Sequence, residues 1–397
     1  MDKTDIIYEG NFAFDIDRNE ITAYLGINNK SITIPEMIGG NKVKGLADQL
    51  FKDFTELESI IIPNSVEEVG EDVFQSCTNL SEIKLPNSLR TIRKRTFQDC
   101  KSLVSITIPE SVKEVHDEAF RGCESLKSIV LPDSITEIYD FVFFGCSELE
   151  SIVIPNGLTF IGDDLFNGCK KLKSIIIPES VDTICWFAFE GCESLTGITI
   201  PNNVTELRDR VFASCKNLTE IKLHDNINKI ACQAFADCES LTQISIPDKV
   251  TYIDNEVFCG CKQLTSLTLG DNIKAIYYGA FYGCTGLAEI RLPSDLKAIC
   301  DETFSGCTSL KNIEIPNSVV VIGAHAFRNC TSLVSITIPD SVTALGLPID
   351  YPERLRINKD MPKCGVFDGC TNLQSISYKG KTYDREHIGE LYKAING

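Results

Sequence analysis

Thirteen cysteines recur along this 397-residue chain at a fixed interval, from Cys77 to Cys330 in steps of 23 and then at Cys370 after a step of 40. A phenylalanine precedes each by three residues, from Phe74 to Phe327 and again at Phe367, and Phe51 extends the row one step upstream. A period of this length describes a stack of small units, none of which can bury its apolar face alone. Stacking turns equivalent residues into ladders along one axis. The resulting surface is extended and repetitive, which favours binding over catalysis as a first reading.

One unit, residues 97–120, shows what each turn contains. Leu103, Ile106 and Ile108 bracket a short strand in which Ile106 and Ile108 point inward and Thr107 outward. Pro109 has no donor for a ladder and stops that strand. Val112 and Val115 mark a second short extended piece, and Glu118 to Cys123 reads as a single helical turn. The expected fold class is therefore an α/β solenoid, with short parallel strands and one helical turn per unit.

The segment Leu103-x-x-Ile106-x-Ile108 resembles the strand signature of leucine-rich repeats. The fuller unit, Phe97-Gln98-Asp99-Cys100-Lys101-Ser102-Leu103 followed by Ile106-Thr107-Ile108-Pro109-Glu110-Ser111-Val112, is similar to the BspA-type class of those repeats, over nearly the whole chain. The resemblance implies a leucine-rich repeat array and, by analogy, a surface protein that adheres to host proteins. It supplies no catalytic residues to carry over.

Dividing the length by a usual domain size would suggest two or three domains, but the repeat argues for one array. Residues 1–50 read as an N-terminal hairpin cap and a first irregular coil, 51–377 as the repeats, and 378–397 as a C-terminal capping helix. In the first segment a hairpin spans residues 6–25. In the last, Asp384 is placed to cap a helix whose Ile388, Leu391, Tyr392 and Ile395 share one face. The period breaks once, by an insertion at about 346–363 that includes Pro348, Tyr351, Pro352 and Pro362. Such an insertion maps to a loop at one edge.

A net charge of −18 argues against nucleic acid as a partner. The one basic run, Arg90, Arg93, Lys94 and Arg95, reads as a solvated coil edge. No apolar run is long enough to span a membrane, and the polar start, Met1 to Asp5, is not a signal peptide. Two locations stay open: the cell surface or secretion if a leader has been removed, and the cytoplasm if these residues are the whole chain. The eighteen cysteines would suggest disulfides, but thirteen form one core ladder beside Phe and Leu, so reduced structural thiols are expected. Cys185, Cys232, Cys259, Cys300 and Cys364 fall off that ladder, near coil edges.

No catalytic motif is present, and His116, His224, His325 and His387 occupy different phases of the repeat with no metal-ligand spacing. The chain is thus expected to be no enzyme, to hold no metal and to need no cofactor. Its candidate site lies among outward positions. These are mostly polar or threonine, but Val130, Val153 and Ile176 are consecutive and apolar. Tyr139, Phe141, Phe144, Phe160, Trp186 and Phe187 crowd the same coils at positions that are polar elsewhere, and Trp186 is the single tryptophan. Exposed apolar and aromatic groups of this kind mark partner sites. A second group is Tyr252, Tyr277, Tyr278 and Tyr282. The sequence thus reads as a monomeric, surface-displayed adhesion module for a protein or glycan ligand. An intracellular interaction scaffold is the alternative, and an enzyme of unknown class the remote one.

Overall fold

The computed structural model describes residues 5–347 and 365–397, and between them only the backbone of two short strands, Ile349–Asp350 and Arg356–Ile357. The expected insertion loop, with Pro348, Tyr351, Pro352 and Pro362, otherwise lies outside the described residues. The chain divides into two compact units, 1–195 and 196–397.

Each unit is a stack of coils joined by parallel strands in register at the 23-residue period. In the first unit Ser105–Thr107 pairs with Ser128–Val130, Ser105 opposite Ser128 and Thr107 opposite Val130. In the second, Gln243–Ser245 pairs with Ser266–Thr268 in the same way. Such strands turn the central apolar residue toward the core, as with the buried Ile106 between the exposed Ser105 and Thr107. The proline that follows turns the chain: the Pro109 carbonyl accepts the Val112 amide at 3.0 Å. A second, two-residue strand comes next, Glu114–Val115 in the type unit, and pairs with Glu137–Ile138.

The expected helical turn is absent. Among the described residues the one helix is Ile388–Asn396, and the segment after the second strand is a run of turns. Its hydrogen bonds explain why. The amides of Arg95, Phe97 and Asp99 reach the carbonyls of Asp117, Ala119 and Arg121 in the next coil, at 2.7–3.0 Å, while those of Gln98 and Cys100 bond three residues back. Alternate donors are thus committed between coils and cannot build the i→i−4 pattern of a helix. The segment is a third inter-coil ladder. It requires a left-handed residue at two places per coil, such as Arg95 (φ 53°) and Asp99 (φ 58°), and glycine takes the second place at Gly122, Gly145 and Gly168.

The core is built of ranks. Phe74, Phe97, Phe120 and Phe143 are fully buried and stacked nearly parallel, with ring centroids 5.3–5.8 Å apart. The cysteine rank has a role beyond its size. The Cys100 thiol donates to the Phe74 carbonyl at 3.2 Å, and that carbonyl also accepts the Cys77 amide at 3.1 Å. The same pairing recurs at Cys123 with Phe97, at Cys261 with Phe235 and at Cys330 with Phe304. A buried carbonyl in the tight turn thereby gains a second donor, which alanine would not supply. Off the ladder, Cys185, Cys232 and Cys259 are half-buried, Cys300 is fully buried and not at an edge, and Cys364 lies outside the described residues. Thiol titration of denatured, unreduced protein should recover nearly all eighteen cysteines. Recovery of only a few, with peptides cross-linked between coils, would contradict this arrangement.

The ends are closed differently. At the start, over the residues read as a hairpin, Ile6–Glu9, Phe12–Asp15 and Glu20–Tyr24 pair antiparallel, and Glu20–Tyr24 continues into parallel pairing with Gly45–Leu46. Tyr24 packs on Phe51 at 5.4 Å and Phe54 at 5.9 Å, covering the first phenylalanine. At the other end the helix begins at Ile388, with His387 as its cap residue, and Asp384 accepts the His387 amide at 2.9 Å. Leu391 and Ile395 are buried. The Asn396 side chain both donates to and accepts from the backbone of Leu345, at 2.8 and 2.9 Å, and so closes the edge of the strand Ala344–Leu345.

Candidate functional site

The outward row expected on one parallel sheet is exposed in the first unit, but the sheet covers only part of it: Val130 closes the strand Ser128–Val130, Val153 follows the strand Ser151–Ile152, and residues 174–176 form no strand. Val130, Val153 and Ile176 are 72%, 75% and 85% exposed, while Ile129, Ile152 and Ile175 beside them are buried. Leaving three branched side chains in water over successive coils forgoes about 1.5–3 kcal/mol each relative to burying them. The row is flanked by short groups: Ser128, Ser151 and Ser174 on one side, and Pro132, Pro155 and Pro178 on the other. Beyond the serines lie Lys127, Glu150 and Lys173, all exposed, with Lys173 Nζ 2.8 Å from Glu150. That hydrogen-bonded ammonium holds the Glu150 carboxyl below its ordinary range. Beyond the prolines lie Asp133, Asn156 and Glu179, also exposed.

The aromatic residues of the same coils occupy other segments. Phe160 opens the short strand Phe160–Ile161, opposite Thr183. Tyr139 is half-buried, its ring 4.8 Å from that of His116. Its hydroxyl donates to Glu137, and this bond pushes the phenol up to about 12. Phe141 and Phe144 are half-buried and touch at 6.1 Å. The Arg121 guanidinium lies 5.0 Å from the Phe144 ring centre and 2.7 Å from Glu118, a cation–π contact anchored by a carboxylate.

Trp186 is 41% exposed and Phe187 half-buried; both sit in the turn ladder, not in a strand. The Asp163 carboxylate accepts the Trp186 amide at 3.1 Å, and the Trp186 carbonyl accepts the Asp164 amide at 3.0 Å. Phe141 and Phe187 take the left-handed conformation, with φ of 59° and 58°. Bulky residues rarely adopt it; the inter-coil bonds of the ladder impose it here. The apolar row and the Trp186 group are therefore two separate candidates, on different segments of the coil.

The second group also divides. Tyr252 and Tyr277 are in contact at 5.5 Å, and Tyr277 packs against the buried Ala298, Cys300, Val321, Ala344 and Leu347, which is a structural role. Tyr278 and Tyr282 are exposed, 36% and 45%. Burial, then the carboxylates of Glu302 and Glu256, push the Tyr278 phenol up.

One feature escaped the sequence reading. In the second unit a groove of about 750 Å³ lies over the first strands, lined by Thr265, Ser266, Glu289, Arg291, Glu314 and Asn317 among others. It opens where regular pairing stops: Ser266–Thr268 ends its sheet, and Arg291 and Glu314 make only an isolated bridge. The signal available was charge, because Arg291 and Glu314 stand in the outward rank where Ser245, Thr268 and Thr337 stand elsewhere.

Among the described residues no group of three or more His, Cys, Asp or Glu side chains converges as metal ligands would, and no helix is long and apolar enough to cross a membrane. The basic run is partly absorbed by ion pairs: Arg95 reaches the buried Asp72 at 2.6 Å and Arg93 reaches Glu68 at 2.9 Å.

Comparison with known proteins agrees with this architecture. The family described as BspA type leucine rich repeat region (6 copies) matches residues 44–169, 136–261 and 228–348. No curated protein matches the chain. A leucine-rich repeat protein from Bacteroides ovatus has a similar crystal structure, with a TM-score of 0.69 and 29% identity, over 87% of this chain and 98% of that one. A leucine rich cell surface protein from Faecalibacterium prausnitzii is 29% identical over 100% of this chain and 98% of that one, with a TM-score of 0.58. The pneumococcal vaccine antigen PcpA shares the fold at 20% identity, with a TM-score of 0.56 over 86% of this chain and 93% of that one.

Proposed function

We propose that this chain, which belongs to the BspA-type leucine-rich repeat family, is a non-enzymatic binding module displayed at a cell surface, where it engages a protein ligand. The observation that carries the reading is the row Val130, Val153 and Ile176, three apolar side chains held in solvent over successive coils. Surface patches of this kind serve partners, and a polar rim adds selectivity. Display is supported by the likeness to the Faecalibacterium cell surface protein, which extends over the whole chain. A glycan ligand is a second reading, favoured by the hydroxyl- and carboxylate-lined groove around Arg291.

The test uses two variants, Val153→Lys with Ile176→Lys, and Trp186→Ser with Phe187→Ser. Each is checked for folding by circular dichroism, then assayed for binding to immobilised extracellular matrix proteins and to glycan arrays. The variant that strikes the site should bind at least about 30-fold more weakly, the scale of a lost interface anchor. A folded variant that binds fully removes its patch, and full binding by both overturns the site. A Trp186 variant that unfolds assigns that ring to the core.

A further inference from the structure

We infer that the partner of the Val130–Val153–Ile176 row is a second copy of this chain, packed face to face through a two-fold axis that runs along the stack. The inference rests on the reading of this row as a binding surface, and it departs from the single-chain state expected from sequence. Its basis is the distribution of charge on either side of the row.

The two rims stand three residues before and three residues after the apolar position in each coil. On one side they are Lys127, Glu150 and Lys173, and on the other Asp133, Asn156 and Glu179. A two-fold axis along the stack keeps the order of the coils and reverses the direction of the strands. Each rim then meets the opposite rim of the other copy, coil by coil. Lys127 faces Asp133, and the Lys173–Glu150 ion pair faces Glu179 and Asn156, so a rim of net positive charge meets a rim of net negative charge. Val130, Val153 and Ile176 each face their own counterpart.

The alternative two-fold axis, along the strands, brings Lys127 to Lys173, Asp133 to Glu179 and Glu150 to itself. Like charges brought together in this way cost several kcal/mol and reject a docking mode. The rims therefore select one arrangement out of two.

Sterics agree. The residues immediately flanking the row are serines and prolines, so no long side chain holds the two rows apart. The interface also has a boundary, because Lys84, the outward residue two coils before Val130, would face itself. A patch limited to a few coils is small, and small interfaces form weak, concentration-dependent dimers.

The experiment is sedimentation velocity over a wide concentration range, with every variant first checked for folding by circular dichroism. The unaltered chain should shift from monomer to dimer as concentration rises. Val153→Lys with Ile176→Lys should stay monomeric. So should Lys127→Glu with Lys173→Glu, and so should Asp133→Lys with Glu179→Lys, because each makes both rims repel. An equimolar mixture of the two charge-reversed variants should dimerise again, with at least about tenfold tighter association than either alone.

A wild-type chain that is monomeric throughout overturns the inference. So do charge-reversed variants that self-associate as well as wild type, or that fail to pair when mixed. If the Lys variant loses binding to a matrix protein while the wild type is strictly monomeric, the row remains a binding surface and only the second copy is excluded.

Discussion

Phe166→Ala is expected to lower the unfolding free energy by roughly 3–5 kcal/mol, at the high end for a single substitution. Phe166 is fully buried, with ring centroids 5.7 Å from Phe143 and 5.5 Å from Phe189. Removing it opens a void between two stacked rings that cannot close, because both are held by their own coils. The turn around it is also tied into the stack: its amide bonds the Ala188 carbonyl at 2.8 Å, and its carbonyl accepts the Cys192 thiol at 3.3 Å. In a repeat stack each coil leans only on its neighbours, so the loss should spread to the adjacent coils. Guanidinium melts of Phe166→Ala and of Val153→Ala make the comparison. The second residue is exposed and should change stability by no more than about 0.5 kcal/mol. A Phe166→Ala cost below about 1 kcal/mol would show that the ladder is not the core.

The period made the core legible. Phe166, Cys169, Leu172 and Ile175 are buried because each belongs to a rank repeated many times, and a rank carries its own confirmation. The outward exposure of Val130, Val153 and Ile176 follows from the same alternation. What failed was local. Glu118 to Cys123 looks like a turn of helix only while its amides have no other acceptor, and the next coil supplies one at every second residue. Tertiary hydrogen bonding thus overrode a local pattern, as it commonly does. Phase alone also could not say which segment of the coil carries Trp186, so the aromatic group and the apolar row looked like one neighbourhood. The groove near Arg291 was illegible for a different reason: it arises where strand pairing lapses, although the sequence there keeps its period. The side chain of Asn396 closing the last strand edge at Leu345 depends on where a helix lands, which no spacing encodes.

Above about pH 8.5, where a free thiol loses its proton, the protein is expected to lose stability steeply. Burial pushes the thiols of Cys77 and Cys307 up to about 12, and those of Cys100, Cys123, Cys146, Cys169, Cys192, Cys238, Cys261 and Cys284 are also raised by burial. In the unfolded chain the same thiols titrate near ~8.5. Below that value both states hold their protons and the contribution of the ladder is intact. Above it the unfolded chain releases protons that the folded chain keeps, so each thiol subtracts up to about 1.4 kcal/mol per pH unit until its folded value is reached. The six such thiols of the first unit remove on the order of 8 kcal/mol per pH unit and the four of the second on the order of 6, each comparable with the whole stability of an ordinary domain. Unfolding should therefore come well before any single folded thiol ionises, and as a cooperative event. The measurement is the melting temperature from pH 7 to 10.5, followed by circular dichroism alongside thiol labelling. The melting temperature should fall sharply from about pH 8.5, with ladder thiols becoming reactive in the same transition as the loss of structure. A melting temperature that stays level to pH 10 would refute the burial of the ladder. Labelling that precedes unfolding would mean that the thiols are reached one at a time through local opening, and would remove the cooperativity on which the slope depends.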